Sequence, residues 1–149
     1  MKAELNKTYN FDYTGSVSPF GLLDLEETYE VFRDGRVSCH FLERDIAKIF
    51  PELTWVNKTG YDHIDKSGQK YDAKNFTKNG FRFMPSNQIG EGRAFDQEKS
   101  HAHAKDLIYI CCDIVEFPRV RMIFKTGSGL TQEYPLCHIS QSKREVLFG

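Results

Sequence analysis

Three residues of one short stretch, Asp62, Asp72 and Lys74, are of types that could do chemistry together. They lie within residues 61–74, YDHIDKSGQKYDAK, where two strand-sized pieces flank a turn around Ser67-Gly68. Residues two apart on a strand share a face, so Asp72 and Lys74 project together. Asp62 joins them if the connecting turn has three or five residues, and faces away with four unless a bulge intervenes. Two carboxylates and an amine on one face make a poor core and a good hydrolytic site. Paired carboxylates bind a hard cation such as Mg²⁺, which keeps waters and grips a phosphate oxygen. The ion lowers the pKa of a bound water and neutralises charge developing on phosphorus. A lysine beside it holds the attacking water and stabilises the phosphorane. Isolated Asp-x-Lys triplets are common on ordinary exposed hairpins. The upstream Asp, the Gly turn and the basic, Gly-rich stretch that follows set this one apart.

The elements that must position these residues follow from periodicity and breakers. Leu22, Leu25, Tyr29 and Phe32 predict a helix over Gly21–Arg33, with Asp34-Gly35 as a stop. A second helix is expected from Ser38 as N-cap through Phe50, burying Leu42, Ile46 and Ile49 and ending at Pro51. Strands are expected at Tyr61–Asp65 and Lys70–Thr77, then an irregular Gly80–Arg93, a helix over Asp96–Asp106, and strands at Leu107–Val115 and Arg119–Lys125. Gly127-Ser128-Gly129 reads as a turn into a last strand near Leu130–Ile139. This order predicts an α+β domain with a mixed sheet (mixed-sheet α/β). It is one domain over 1–149, with 1–58 mainly helical and 59–149 holding the hairpin, the loop and the rest of the sheet.

With 149 residues, 40% hydrophobic, including twelve Phe and seven Tyr, the chain can order a single core, which excludes global disorder. No apolar run is long enough for a bilayer, and Met1–Tyr13 lacks the apolar stretch of a signal peptide, so a cytoplasmic, non-membrane protein is expected. The four cysteines read as free thiols. Cys111 and Cys112 are adjacent and would face opposite sides of a strand, and the Cys39-His40 and Cys137-His138 pairs lack the gap that wraps a chain around zinc. Net charge is −1, yet residues 12–34 carry −5 and residues 66–93 carry +4, so the second segment would tolerate a phosphate backbone. In the loop behind the hairpin, Asn87 and Gln88 suit adenine and Arg82 and Arg93 suit guanine, while Lys78 and Ser86 suit phosphates. His63 should face away from Asp62, His101 and His103 should not share a helix face, and Trp55 reads as core or interface.

An Asp, an acidic residue ten positions later and a Lys two beyond resemble the PD-(D/E)XK nuclease superfamily, most closely its small type II restriction endonucleases. Asp62, Asp72 and Lys74 match that spacing without a gap, and Asp65, Gly68, Gln69 and Tyr71 add to the likeness. It is concentrated in residues 61–74 and weaker through Gly80. Asp72 stands where Glu is commoner, and no Pro precedes Asp62. The resemblance implies a restriction-endonuclease-like central mixed sheet flanked by helices. It also implies Mg²⁺-dependent hydrolysis of phosphodiester bonds in double-stranded DNA at a specific sequence, with Mn²⁺ able to substitute, within a restriction-modification pair. The metal ligands would be Asp62, Asp72 and the backbone carbonyl of Ala73, with Lys74 completing the catalytic set and the loop behind entering the groove. Some members add a Glu from a helix, for which Glu43 is the candidate, although a surface Glu beside the buried stripe is the simpler reading. One site per subunit implies a homodimer if both strands are cut. The alternatives are a structure-specific repair or junction-resolving nuclease, and a non-catalytic DNA-binding subunit with a nuclease-like fold.

Overall fold

A computed structural model describes residues 1–149, the side chain of Asn57 excepted. The elements in chain order are β1 (Thr8–Asp12), α1 (Leu25–Phe32), α2 (Gly35–Ile49), β2 (Thr54–Lys58), β3 (Tyr61–Ile64), β4 (Lys70–Phe76), β5 (Phe81–Arg82), α3 (Gln97–Ala104), β6 (Leu107–Asp113), β7 (Arg119–Thr126), α4 (Gly127–Glu133), β8 (His138–Ile139) and α5 (Arg144–Phe148). Six strands form one sheet in the order β1-β7-β6-β4-β3-β2, and β5 pairs with β8 in a separate ribbon. Only the β4–β6 pairing is parallel within that sheet, so the fold is α+β with a mixed sheet. A parallel pair needs a crossover, and the chain supplies it through β5 and α3. The first 58 residues are less uniformly helical than expected, because they supply both edge strands, β1 and β2, beside α1 and α2.

Side-chain alternation sorts the sheet into two buried faces. Tyr71 and Ala73 of β4, Ile108, Ile110 and Cys112 of β6, and Met122 and Phe124 of β7 pack with Leu42, Ile46 and Phe50 beneath α2. Phe76, Leu107, Tyr109, Cys111 and Ile123 face the other way, against Phe81, Phe83, Ala104, Leu130 and Phe148. Strand β6 is covered on both sides, which is why it reads as an unbroken apolar run. Cys111 and Cys112 point to opposite faces, and all four cysteines are free.

Several helix signals act differently from their first reading. Asp34 does not merely stop α1; it caps α2, its carboxylate accepting the Arg36 N–H at 2.9 Å. Ser38 lies inside α2 as a buried residue, and its hydroxyl donates to the Phe32 carbonyl, fastening the two helices together. The Gly127-Ser128-Gly129 segment opens α4 instead of forming a turn, with Thr126 as N-cap. Gly127 is required there, since a Cβ would sit 1.9 Å from the Ala104 carbonyl oxygen. The expected strand over Leu130–Ile139 accordingly shrinks to His138–Ile139. Asp96 caps α3, its carboxylate accepting the Lys99 N–H at 3.0 Å. Among the described residues no helix is long and apolar enough to cross a membrane.

Candidate active site

The site begins with a turn. Strands β3 and β4 pair through His63↔Tyr71 and Ile64↔Lys70, leaving Asp65–Gln69 as the connection. The Asp65 carboxylate organises it, accepting the Ser67 N–H at 2.9 Å, the Ser67 hydroxyl at 2.6 Å, the Gln69 N–H at 3.1 Å and the Tyr71 hydroxyl at 3.0 Å. The Ser67 hydroxyl, more than any other partner, holds that carboxyl below the usual range. Gly68 takes φ +87°, a conformation that glycine adopts freely. The connection has odd length, so Asp62 falls on the face of Asp72 and Lys74. Asp65 is committed to the turn.

Past His63 and Tyr71 the ladder opens. The Ala73 N–H donates to the Asp62 carboxylate at 2.9 Å instead of continuing the β3 pairing. Asp62 therefore sits in the fork between the strands, in hydrogen-bond contact with the Asp72 carboxyl. Burial, then the hydrogen bond and charge of Asp72, then the charge of Glu43 push the Asp62 carboxyl up to about 8, against the pull of the Ala73 N–H. Lys74 Nζ lies 3.4 Å from Asp72 Oδ2, with side chains only 19% and 13% exposed. Such burial is unlike the solvated face of an ordinary hairpin. Across the parallel pairing Asp72 stands beside Tyr109, whose hydroxyl donates to the Phe83 carbonyl at 3.1 Å.

The opposite side of the fork is anchored to α2. His63 is fully buried, its Nε2 2.6 Å from the Glu43 carbonyl oxygen, so it points away from Asp62 as alternation requires. Its Nδ1 is a buried atom with no hydrogen-bond partner, and burial lowers the ring pKa. Glu43 is half-buried, which corrects its reading as a plain surface residue. Its carboxylate lies 3.5 Å from the Trp55 indole nitrogen. Burial raises its pKa first, Trp55 opposes, and the charge of Asp72 adds to the rise. Glu43 stands on α2, and its charge reaches Asp62 and Asp72. Among the described residues no three His, Cys, Asp or Glu side chains converge closely enough to hold a metal.

The segment behind β4 is less uniform than its sequence suggests. Lys78, Arg82, Ser86, Asn87 and Arg93 are exposed. Gln88 is half-buried, and its Oε1 accepts the Asp96 N–H at 2.8 Å and the Ser100 hydroxyl at 2.7 Å. Arg93 is also engaged within the loop, donating to the carbonyls of Ser86 at 2.9 Å and Ile89 at 3.2 Å. Both residues help to shape the loop. Gly80–Arg93 is also not wholly irregular, since Phe81–Arg82 pairs with His138–Ile139. That pairing brings a C-terminal segment beside the hairpin. The sequence places a strand near Leu130–Ile139 but carries no signal for its partner, because two paired residues are too few for a periodicity.

A separate cleft of about 650 Å³ opens at the far end of β4, lined by Arg33, Asp34, Arg36, Thr77 and Lys78 among others. It contains none of the three site residues. No protein-family model, curated protein or solved structure matches the chain.

Proposed function

We propose that the chain is a Mg²⁺-dependent endonuclease of restriction-endonuclease-like fold, hydrolysing phosphodiester bonds in double-stranded DNA at a specific sequence. The observation that carries this reading is the contact between the Asp62 and Asp72 carboxyls at the strand fork, with Lys74 beside them. Two ionised carboxylates in contact and partly buried repel each other, and a divalent cation relieves that repulsion as a shared proton does. Mg²⁺ is commonly held by one or two carboxylates, with waters and substrate phosphate completing its shell, so a third carboxylate is not required. Asp62, Asp72 and the backbone carbonyl of Ala73 would hold it, and Mn²⁺ would substitute. Bound there, the ion would supply a Lewis acid and an acidified water.

The chain's own groups do the positioning. The Ala73 N–H fixes the Asp62 carboxylate, and the turn built on Asp65 fixes the register that brings it to Asp72. Lys74, held 3.4 Å from Asp72, presents an ammonium that orients the attacking water and stabilises charge on the phosphoryl oxygens. Lys78 and Ser86, exposed behind β4, suit the DNA backbone, and Arg82 and Asn87 suit base edges. Cutting both strands of a palindromic site needs two such centres, hence a homodimer on duplex DNA.

Plasmid digestion in Mg²⁺ with run-off sequencing of the ends, set beside gel shifts in Ca²⁺, tests the reading. Discrete fragments from the wild type, lost in Asp62→Ala and Lys74→Ala while duplex binding persists, are the expected result. Undiminished cleavage by either variant sinks the assignment. Cleavage only at branched DNA transfers the site to a junction-resolving enzyme, and binding without cleavage in Mg²⁺ or Mn²⁺ reassigns the chain as a non-catalytic subunit.

A further inference from the structure

The exposed apolar surface of the chain is unevenly spread. Six of its eleven exposed large hydrophobic side chains, Phe20, Leu22, Leu23, Leu25, Val31 and Val37, fall within residues 20–37. Phe20, Leu23, Val31 and Val37 line a groove of about 530 Å³ where α1, the first turn of α2 and the segment 16–23 meet. One wall is a face of α1, with Thr28, Val31 and Phe32 at helical spacing. The facing segment is pinned to it. The Phe20 N–H donates to the Thr28 hydroxyl at 3.3 Å, and that hydroxyl donates to the Asp24 carbonyl at 2.8 Å. The Ser38 hydroxyl, bonded to the Phe32 carbonyl, holds α2 against the end of α1 and so fixes Val37. The groove is preformed.

Its rim is acidic. Residues 14–32 hold four acids, Asp24, Glu26, Glu27 and Glu30, and no base, and all four are exposed. Asp24 and Glu27 each lend one oxygen to the capping box of α1. Glu26 and Glu30 share a single cation, Arg33, whose guanidinium is also held by the Phe117 carbonyl. A contiguous apolar patch with a polar rim marks an interaction site. The charge of the rim decides what covers it. Anionic headgroups and DNA are repelled by these acids. A two-fold contact with a second copy would set the four acids of one chain against those of the other. A protein segment with lysines and arginines beside an apolar stripe gains on both counts. No strand borders the groove, so side-chain insertion is the available mode and strand addition is not.

We propose that this groove docks a basic amphipathic helix of another protein. Its apolar stripe would seat on Phe20, Leu23 and Val31, and its flanking Lys and Arg would meet Asp24, Glu26, Glu27 and Glu30. Such a helix is long enough to cover Leu22 and Leu25 as well, which stand outside the groove lining and which a small molecule inside it would leave in water. Asp62, Asp72 and Lys74 take no part, so the endonuclease reading can fail without touching this surface.

Fluorescence anisotropy with the full chain and labelled synthetic peptides tests this. The probe is a leucine–lysine peptide with leucines at i, i+3, i+4 and i+7. Its controls are the same residues in scrambled order, and the same order with glutamate for lysine. The probe should bind about tenfold or more tighter than either control, and weaken as salt is raised. Phe20→Ser with Leu22→Ser should weaken it by about tenfold. Glu26→Gln with Glu30→Gln should weaken it less and flatten the salt dependence. All four side chains are exposed, so folding should hold; thermal melts check it, and Leu22→Lys alone replaces the serine pair if that pair melts early. Absence of probe binding, equal binding of the scrambled peptide, or full binding by the serine variant overturns the proposal. Sedimentation velocity without peptide tests the second copy: a wild-type dimer that the serine variant turns into a monomer gives the groove to that copy and overturns the proposal too. Binding to phosphatidylcholine vesicles, lost in the same variant, overturns it in favour of a membrane.

Discussion

The Asp62 carboxylate takes the Ala73 N–H at 2.9 Å, in the place where a backbone carbonyl of β3 would otherwise continue the ladder. This one substitution of side chain for backbone opens the fork and delivers Asp62 to Asp72. The amide favours the ionised carboxylate, whereas burial and Asp72 disfavour it, and the second pair of effects prevails.

A dependence of stability on pH follows. The Asp62 carboxyl, raised to about 8 in the folded chain, titrates near 3.9 when unfolded. The folded state therefore keeps a proton that the unfolded state releases. Stability from this group is complete below about pH 4, declines as pH rises, and is fully lost above about pH 8. In metal-free buffer, Asp62→Asn should raise Tm at pH 8.5, by on the order of 1 kcal/mol or about 3 °C after solvent screening, and leave it nearly unchanged at pH 4. Mg²⁺ should stabilise the wild type and not the variant. Thermal melts across pH check both, and an equal effect of the substitution at both pH values contradicts the account.

The turn gives a second prediction. Asp65→Ala removes acceptors for two backbone N–H groups, the Ser67 hydroxyl and the Tyr71 hydroxyl. The expected loss is about 1–2 kcal/mol, read as a lower urea midpoint with unchanged slope. Tyr71→Phe, which deletes only the last of these bonds, should cost less than half as much. Because Asp65 sets the register and not the chemistry, Asp65→Ala should retain residual cleavage where Asp62→Ala retains none.

The hairpin was legible in the sequence because its information is local. Asp62, Gly68, Asp72 and Lys74 lie within thirteen positions, and their faces follow from a period of two once the turn length is known. The mixed sheet was legible for a similar reason, through the continuous apolar run of β6 and the alternation of β7. What could not be read is long-range. The pairing of β1 with β7 and of β5 with β8 joins distant segments; neither Thr8–Asp12 nor Phe81–Arg82 carries a period strong enough to declare itself, and the strand expected near Leu130–Ile139 named no partner. The engagement of Gln88 by Asp96 and Ser100, and of Glu43 by Trp55, are also tertiary facts that residue type alone leaves open.

A buried charge supplies the third prediction. Asp113, 1% exposed at the end of β6, receives Arg121 Nε and Arg144 Nε at 2.9 Å each. Arg121 also bonds Glu145, so this centre fastens α5 to the sheet. Asp113→Ala leaves two partly buried guanidinium groups without their shared anion, a loss of about 3 kcal/mol. Hydrogen exchange should show α5 opening before the rest of the domain. The site fork lies on other strands, so low-temperature cleavage should survive.

Gly80 and Gly90 make the last prediction a matched pair. Both have positive φ, +88° and +109°, so alanine is strained at either. At Gly90 nothing lies within 4 Å of the added Cβ, and the cost is confined to backbone strain of about 1 kcal/mol. At Gly80 the same methyl meets the Ile139 carbonyl at 2.4 Å and must push the two limbs of the ribbon apart, so about 2–3 kcal/mol is expected. Urea denaturation measures the difference between the two variants, which isolates the ribbon contact from the strain common to both. Equal costs would mean that the limbs separate freely, and a ribbon that separates freely could not hold Arg82 and His138 in register.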